Sequence, residues 1–170
     1  ATQNPIEHEG TYRLPEAQLD RFLFKVVVGY PSETEEVEML TRFQGFGGVM
    51  DEAQVHAVLD RGAVRDAQAA VRAVRVEAPV LSYAASIVAA TRTHPALALG
   101  GSPRATLALV RGGKAVAAMS GRDFATPDDL RAIIAPVLRH RVLLTPEREI
   151  EGARPETILK RIVEEIEVPR

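Results

Sequence analysis

The sequence predicts a mainly helical chain, entered through the last strand and helix of an α/β layer, and three observations carry that prediction. Segment after segment opens with helix-start chemistry: Pro15, Ser32 with Glu35, Pro79, Ser102 with Pro103, Thr126 with Pro127, and Pro155. Apolar residues at helical spacing follow most of these starts. Only residues 22–28 form a distinctly β-rich run, with Phe22, Leu23 and Phe24 leading through Lys25 to Val26, Val27 and Val28. A buried strand needs neighbours, and the rest of the sequence offers none, so its sheet is expected to be built mostly by residues upstream.

At 170 residues, with a 46% hydrophobic share, the chain can bury one sizeable core. A formal net charge of −2 gives no bulk attraction to nucleic acid or an anionic membrane. The lack of cysteine excludes disulfides, thiolate metal sites and cysteine nucleophiles, and fits a cytoplasmic protein. No apolar run approaches the roughly 20 residues that span a bilayer. Ala1-Thr2-Gln3-Asn4-Pro5 reads as a strand end running into a turn, so these residues are expected to be the C-terminal portion of a longer protein.

Residues 1–30 read as strand end, loop, short helix and strand, with Pro15 and Glu16 opening the helix and Arg21 ending it. Ser32 and Glu35 then form a capping box, and Val37, Leu40 and Thr41 share a face as far as Gln44-Gly45-Phe46-Gly47-Gly48. That glycine-rich run follows a helix rather than a strand and lacks a following Lys-Ser/Thr, so it reads as a connector. Residues 51–73 suggest one or two short helices broken near Gly62, and Val74-Arg75-Val76 a short extended link. Pro79 opens a helix whose expected buried stripe is Leu81, Ala84, Ala85 and Val88, with residues 93–99 a loop after it.

Ser102 caps the next helix, with Pro103 at its first position and Leu107, Val110, Lys114 and Met119 along its axis. Gly112 and Gly113 are expected to weaken its middle by about 1 kcal/mol each relative to Ala. Arg104 is the misfit, since a cation in the first turn opposes the helix dipole at roughly 0.3–1 kcal/mol. The same terminus carries free N–H groups that attract anions, so an arginine there can share a phosphate with the backbone. The plainer alternative is a side chain pointing to solvent. Thr126-Pro127-Asp128-Asp129 starts a helix with Leu130, Ile133, Ile134, Val137 and Leu138 on its apolar face and Arg139, His140 and Arg141 closing its last turn. Residues 142–144 extend briefly, 147–154 are expected to be a charged surface loop, and Pro155 opens a final helix on Ile158, Leu159, Ile162, Val163 and Ile166.

His8, His56, His94 and His140 are scattered, with no i, i+4 pair and no cysteine, so no metal site is expected. Gly113-Lys114 is not the end of a phosphate-binding loop, because Ala108 stands at the first glycine position and Ala115 at the Ser/Thr position. What remains is Asn4 at a strand end, where open α/β sheets present polar groups to ligands, Arg21 at the end of a short helix, and Arg104. Each has a plain reading beside it: turn former, dipole partner, solvent cation.

Taken jointly, Ala1-Thr2-Gln3-Asn4-Pro5-Ile6-Glu7, Gly10-Thr11-Tyr12, Leu14-Pro15-Glu16-Ala17-Gln18-Leu19-Asp20-Arg21-Phe22, and Leu99-Gly100 with Ser102-Pro103-Arg104-Ala105 resemble the MoxR family of AAA+ ATPases. Gly121-Arg122-Asp123-Phe124 before Thr126-Pro127-Asp128-Asp129 resembles that family's lid, and the likeness runs over residues 1–144. It implies the end of an α/β ATPase core over 1–30, connecting helices over 31–76 and a helical lid domain over 77–170. It implies that Asn4 corresponds to sensor 1, which orients the attacking water near the γ-phosphate, and that Arg21 corresponds to the arginine finger, inserted into a neighbouring subunit's nucleotide site. Arg104 corresponds to sensor 2, which contacts nucleotide from the lid. Phosphoryl transfer is mostly positioning and charge neutralisation, which planar, permanently charged guanidinium groups suit.

For the complete protein the resemblance implies ATP and Mg²⁺ as cofactors and a ring oligomer, a hexamer, that remodels or matures a partner protein. Walker A and Walker B are absent from these residues, so the chain alone is expected to bind no nucleotide and to be inactive. His8 and Arg13 stand where the family has Gln and a neutral residue, and Gly101 where alanine is usual. Two other classes fit the residues without the resemblance: a self-sufficient helical interaction module without nucleotide chemistry, and a DNA-binding helical regulator. Balanced charge and the lack of a basic recognition helix speak against the second. An upstream G-x-x-x-x-G-K-[ST] followed by an acidic strand end would separate the first from the family reading.

Overall fold

The computed structural model describes residues 1–2, 14–45 and 56–169; Asn4, His8 and Arg13 lie outside the described residues. Backbone proximity divides the chain into two units, Val26–Ala69 on the one hand and Ala1–Lys25 with Ala70–Arg170 on the other. Helices α2 (Glu33–Gly45) and most of α3 (Arg61–Ala73) belong to the smaller unit. The larger holds α1 (Glu16–Leu19), α4 (Ala78–Thr93), β1 (Leu97–Leu99), α5 (Pro103–Met119), α6 (Pro127–Ala132), α7 (Ile134–Leu138), β2 (Leu143–Leu144), α8 (Pro146–Ile150) and α9 (Pro155–Glu165).

In the smaller unit the capping box forms as the sequence predicts. The Ser32 N–H and hydroxyl both donate to Glu35 Oε2 at 2.7 Å. No residue of α2 is buried. Asp60 Oδ1 accepts from the Ala63 N–H at 2.7 Å and so caps α3, which starts at Arg61, beside the expected break at Gly62.

Residues 22–28 hold no strand, contrary to the sequence expectation. Val26, Val27 and Val28 are 65–89% exposed. The only named sheet among the described residues is the antiparallel pair β1–β2, which turns part of the expected 93–99 loop into a strand. With no ladder to join, the Lys25 N–H donates instead to the Pro136 carbonyl at 2.9 Å.

The core of the larger unit is made by α4, α5, α6, α7 and α9, with Ile87, Leu109, Leu130, Leu138, Leu159 and Ile162 fully buried. On α4 the buried stripe is Val80, Tyr83, Ala84, Ile87, Val88 and Thr91, while Leu81 is exposed, so the expected stripe is rotated. On α5 the buried face is Ala105, Ala108, Leu109, Gly112, Gly113 and Ala117, and Leu107 and Met119 point out. Gly112 and Gly113 are packing positions. A Cβ there would lie 2.5 Å from Ile133 Cδ1 and 2.6 Å from Leu130 Cδ1 respectively, and the missing side chains let α5 seat directly on those residues.

The helix that begins at Thr126 is two helices. Pro136 has no N–H to give the Ala132 carbonyl, so the α-helical ladder cannot continue, and the Ile133 N–H bonds back to Leu130 in a tighter turn. Residues 146–150 form the short helix α8 within the stretch expected to be loop. The link at 74–76 and the final helix form as predicted: Arg75 bridges Phe124, and α9 buries Ile158, Leu159, Ile162 and Val163.

Candidate functional site

The polypeptide turns sharply after α1, where the Arg21 N–H reaches the Gln18 carbonyl at 3.2 Å and the Phe22 N–H reaches Leu19 at 3.0 Å. Asp20 faces inward from this turn, and Arg21 is exposed. At the start of α5 the Ser102 hydroxyl accepts from the Arg104 N–H at 3.1 Å and donates to Asp20 Oδ2 at 2.7 Å. Asp20 thus brings to the N-terminus of α5 the negative charge that its own first turn lacks. Arg104 lies at the edge of this arrangement, with Nη1 4.0 Å from Asp20 Oδ2 and its side chain 56% exposed. One carboxylate therefore joins the residue next to Arg21 to the helix that carries Arg104.

The other oxygen of that carboxylate belongs to Arg141. Arg141 Nε donates to Asp20 Oδ1 at 3.0 Å, Nη2 to the Asp20 and Phe22 carbonyls, and Nη1 to the Leu23 and Val137 carbonyls. Burial lowers the pKa of this guanidinium and Asp20 raises it. With its carboxylate and carbonyl partners in place, the buried charge is compensated. Beside it, His140 Nε2 lies 3.0 Å from the Phe22 carbonyl and Nδ1 is buried without a partner. Burial holds this imidazole below its usual pKa, against the pull of the Phe22 carbonyl, so the ring is neutral near pH 7 and Nε2–H is the donor.

The approach to α5 is equally constrained. A Cβ at Gly100 would lie 2.6 Å from the backbone of Thr91 and Arg92, so only glycine fits that turn. The Gly101 N–H donates to Thr91 Oγ1 at 2.9 Å, and Arg92 Nε donates to the Gly101 carbonyl at 2.8 Å, which binds the turn to the end of α4.

A second ion pair is structural. Arg122 grips Asp129 with two bonds of 2.8 and 2.5 Å, and the Thr126 N–H adds a third at 2.7 Å. Arg122 is the main cause that brings the Asp129 carboxyl down to about 2. Among the described residues no group of three or more His, Asp or Glu is placed to hold a metal ion.

Of the residues singled out from the sequence, Arg104 lies near the Asp20 carboxylate, Arg21 follows Asp20 in the chain without an ion pair to it among the described residues, and Asn4 lies outside the described residues. Asp20 and Arg141 are functional candidates that sequence reasoning missed. Their only sequence signal is the basic triplet at 139–141, which as a helix end explains the Arg139 Nε bond to the Ala135 carbonyl and not the contact with Asp20, 121 residues away.

Residues 89–162 match the family model described as AAA lid domain, and residues 1–24 the model described as ATPase family associated with various cellular activities. Over its whole length the chain is 38% identical to Chaperone MoxR1 of Mycobacterium tuberculosis, covering 46% of that protein. It is 34% identical over 88% of its length to Protein MoxR of Paracoccus denitrificans, covering 49% of it. The chain belongs to the MoxR family of AAA+ ATPases. The uncharacterized protein YeaC of Bacillus subtilis is 40% identical over 99% of the chain and 52% of its own length. The chain therefore spans about half the length of the curated relatives it matches. A crystal structure of a candidate ATPase from Cytophaga hutchinsonii superposes with a TM-score of 0.88 at 30% identity, covering 99% of this chain and 53% of that one. The helical body around Arg104 is accordingly a MoxR lid domain.

Proposed function

We propose that this chain supplies the catalytic and sensing side chains of a ring-forming ATPase that couples hydrolysis of ATP to remodelling or maturation of a partner protein. In this reading residues 1–30 close the ATPase core, 31–76 connect it, and 77–170 form the lid. Asn4 orients the attacking water, Arg21 is the arginine finger and Arg104 is sensor 2. The observation that carries the reading is the Asp20 carboxylate, which ties the Arg21 turn to the Arg104 helix and leaves Arg104 largely exposed at a helix N-terminus. An exposed guanidinium at the N-terminus of a helix that is tied to the Arg21 turn fits an anion better than an unrelated surface arginine does.

When bound, Mg²⁺-ATP supplies the phosphoryl group that water attacks. The residues of this chain neutralise and orient: Arg104 lends its guanidinium from the first turn of α5, and Arg21 adds a second positive charge. The phosphate-gripping lysine and the acid that holds Mg²⁺ belong to the other half of the family's length. The working assembly is a hexameric ring in the cytoplasm.

The test is Arg21→Ala in the complete protein. Turnover should fall by about 10³-fold with nucleotide affinity retained, and mixing with a hydrolysis-dead subunit that keeps Arg21 should restore part of it. Full turnover by Arg21→Ala, or no recovery in rings shown to contain both subunits, would overturn the assignment.

A further inference from the structure

Arg21 is exposed, and among the described residues its side chain makes no hydrogen bond or ion pair; what fixes its backbone comes from elsewhere. The carbonyls on both sides of it, from Asp20, Phe22 and Leu23, all accept from Arg141, and the Asp20 carboxylate accepts from Arg141 Nε. Arg141 is in turn held by the Val137 carbonyl at the end of α7. His140 adds a further bond to the Phe22 carbonyl, and the Pro136 carbonyl takes the Lys25 N–H. Three neighbouring lid residues, all reached by the break at Pro136, thus grip residues 20–25 through backbone atoms. Such contacts constrain the path of the chain whatever side chains it carries.

We propose that Arg141 is the positioning residue for Arg21, and that through the shared Asp20 carboxylate it sets Arg21 and Arg104 in a fixed relation. The inference rests on the finger reading of Arg21 and adds to it the source of the finger's geometry. Lysine cannot replace arginine in this role. An ammonium on a flexible stem can pair with Asp20, but it cannot reach one carboxylate and carbonyls on two sides as the rigid fork does. Misplacement of a transition-state cation by about 1 Å is enough to cost on the order of 10²-fold in rate.

The experiment compares Arg141→Lys with Arg21→Ala in the complete protein. Arg141→Lys should lower kcat by roughly 10–100-fold while the nucleotide dissociation constant, read by fluorescent-nucleotide titration, stays within about twofold. Amides of residues 22–25 should exchange faster with deuterium while those of α9 keep their protection. Mixed rings with a hydrolysis-dead subunit carrying intact Arg21 and Arg141 should regain activity, as those with Arg21→Ala do. A purely structural Arg141 would give a loss that no partner subunit restores.

Normal kcat in Arg141→Lys, unchanged exchange at 22–25, or failure of the mixed rings while Arg21→Ala recovers would overturn the positioning role alone. Full turnover by Arg21→Ala would take down the finger reading and this inference with it. Should Arg141→Lys not accumulate as folded protein, Asp20→Asn carries the test. It leaves the carbonyl bonds in place, so a smaller kcat loss of the same pattern is expected, and normal turnover overturns the proposal.

Discussion

Helices α2 and α5 are both capped by serine, yet they differ in what they bury. α5 packs Leu109 at zero exposure among small residues and sets two glycines against Leu130 and Ile133. α2 buries nothing, and its Val37, Met39, Leu40 and Phe43 are 44–58% exposed. Caps and apolar residues thus specify that a helix forms, because they act on its own backbone groups and periodicity. What it packs against is decided by matching shapes on other elements, here by the absence of a side chain at Gly112 and Gly113. The contrast makes α5 the folding core of the lid and α2 a helix whose stability owes nothing to burial.

The largest effect that tests this contrast is Leu109→Ala, which should destabilise the chain by about 2–5 kcal/mol in denaturant unfolding. A cost below about 1 kcal/mol would mean that α5 is not the core helix. A second measurement compares the two capping boxes. Asp129, buried and gripped by Arg122, has its carboxyl at about 2 against an ordinary 3.8. A carboxyl lowered on folding adds stability that is fully present above its unfolded pKa and is lost as pH falls through its folded one. Asp129 should therefore contribute about 2 kcal/mol above pH ~4 that disappears towards pH ~2, and Asp129→Asn should flatten that part of an acid-unfolding profile. Glu35 makes the same kind of cap in full solvent and should leave no comparable mark. The smallest effect belongs to Leu40→Ala on α2, expected within about 0.5 kcal/mol of the parent. A loss of several kcal/mol in this chain would show that α2 is packed after all.

Much of the helical body was legible because helix starts are local. Ser102, Thr126 and Pro155 signal their helices through groups one to three residues away, and those helices form. The buried faces were less legible. Apolar spacing placed the α4 stripe on Leu81, Ala84, Ala85 and Val88; Ala84 and Val88 are buried, but the core took Val80, Tyr83 and Ile87 in place of Leu81 and Ala85, since several stripes on an alanine-rich helix are equally apolar and only the neighbours choose. Gly112 and Gly113 read as weak points because propensity counts only the helix itself. The β-rich run at 22–28 carries strand propensity without the partners that would make it a strand. Of the candidate site, Arg21 and Arg104 were legible through motif and helix position. Asp20 and Arg141 were not, because no local pattern marks two residues that meet across 121 positions.

The clamp made by Arg141 also sets where the lid can be cut. A piece trimmed to the residues that match the lid model, 89–162, keeps Arg141 but discards Asp20, the Phe22 and Leu23 carbonyls and the α4 core residues Val80, Tyr83, Ala84, Ile87 and Val88. Its guanidinium would then lose its counterion and every carbonyl partner but that of Val137. The smallest self-consistent piece of this lid is therefore discontinuous in sequence: residues 20–25 belong to it as much as α4 and α9 do, and an excised lid would need them restored as a second peptide or through a fused linker.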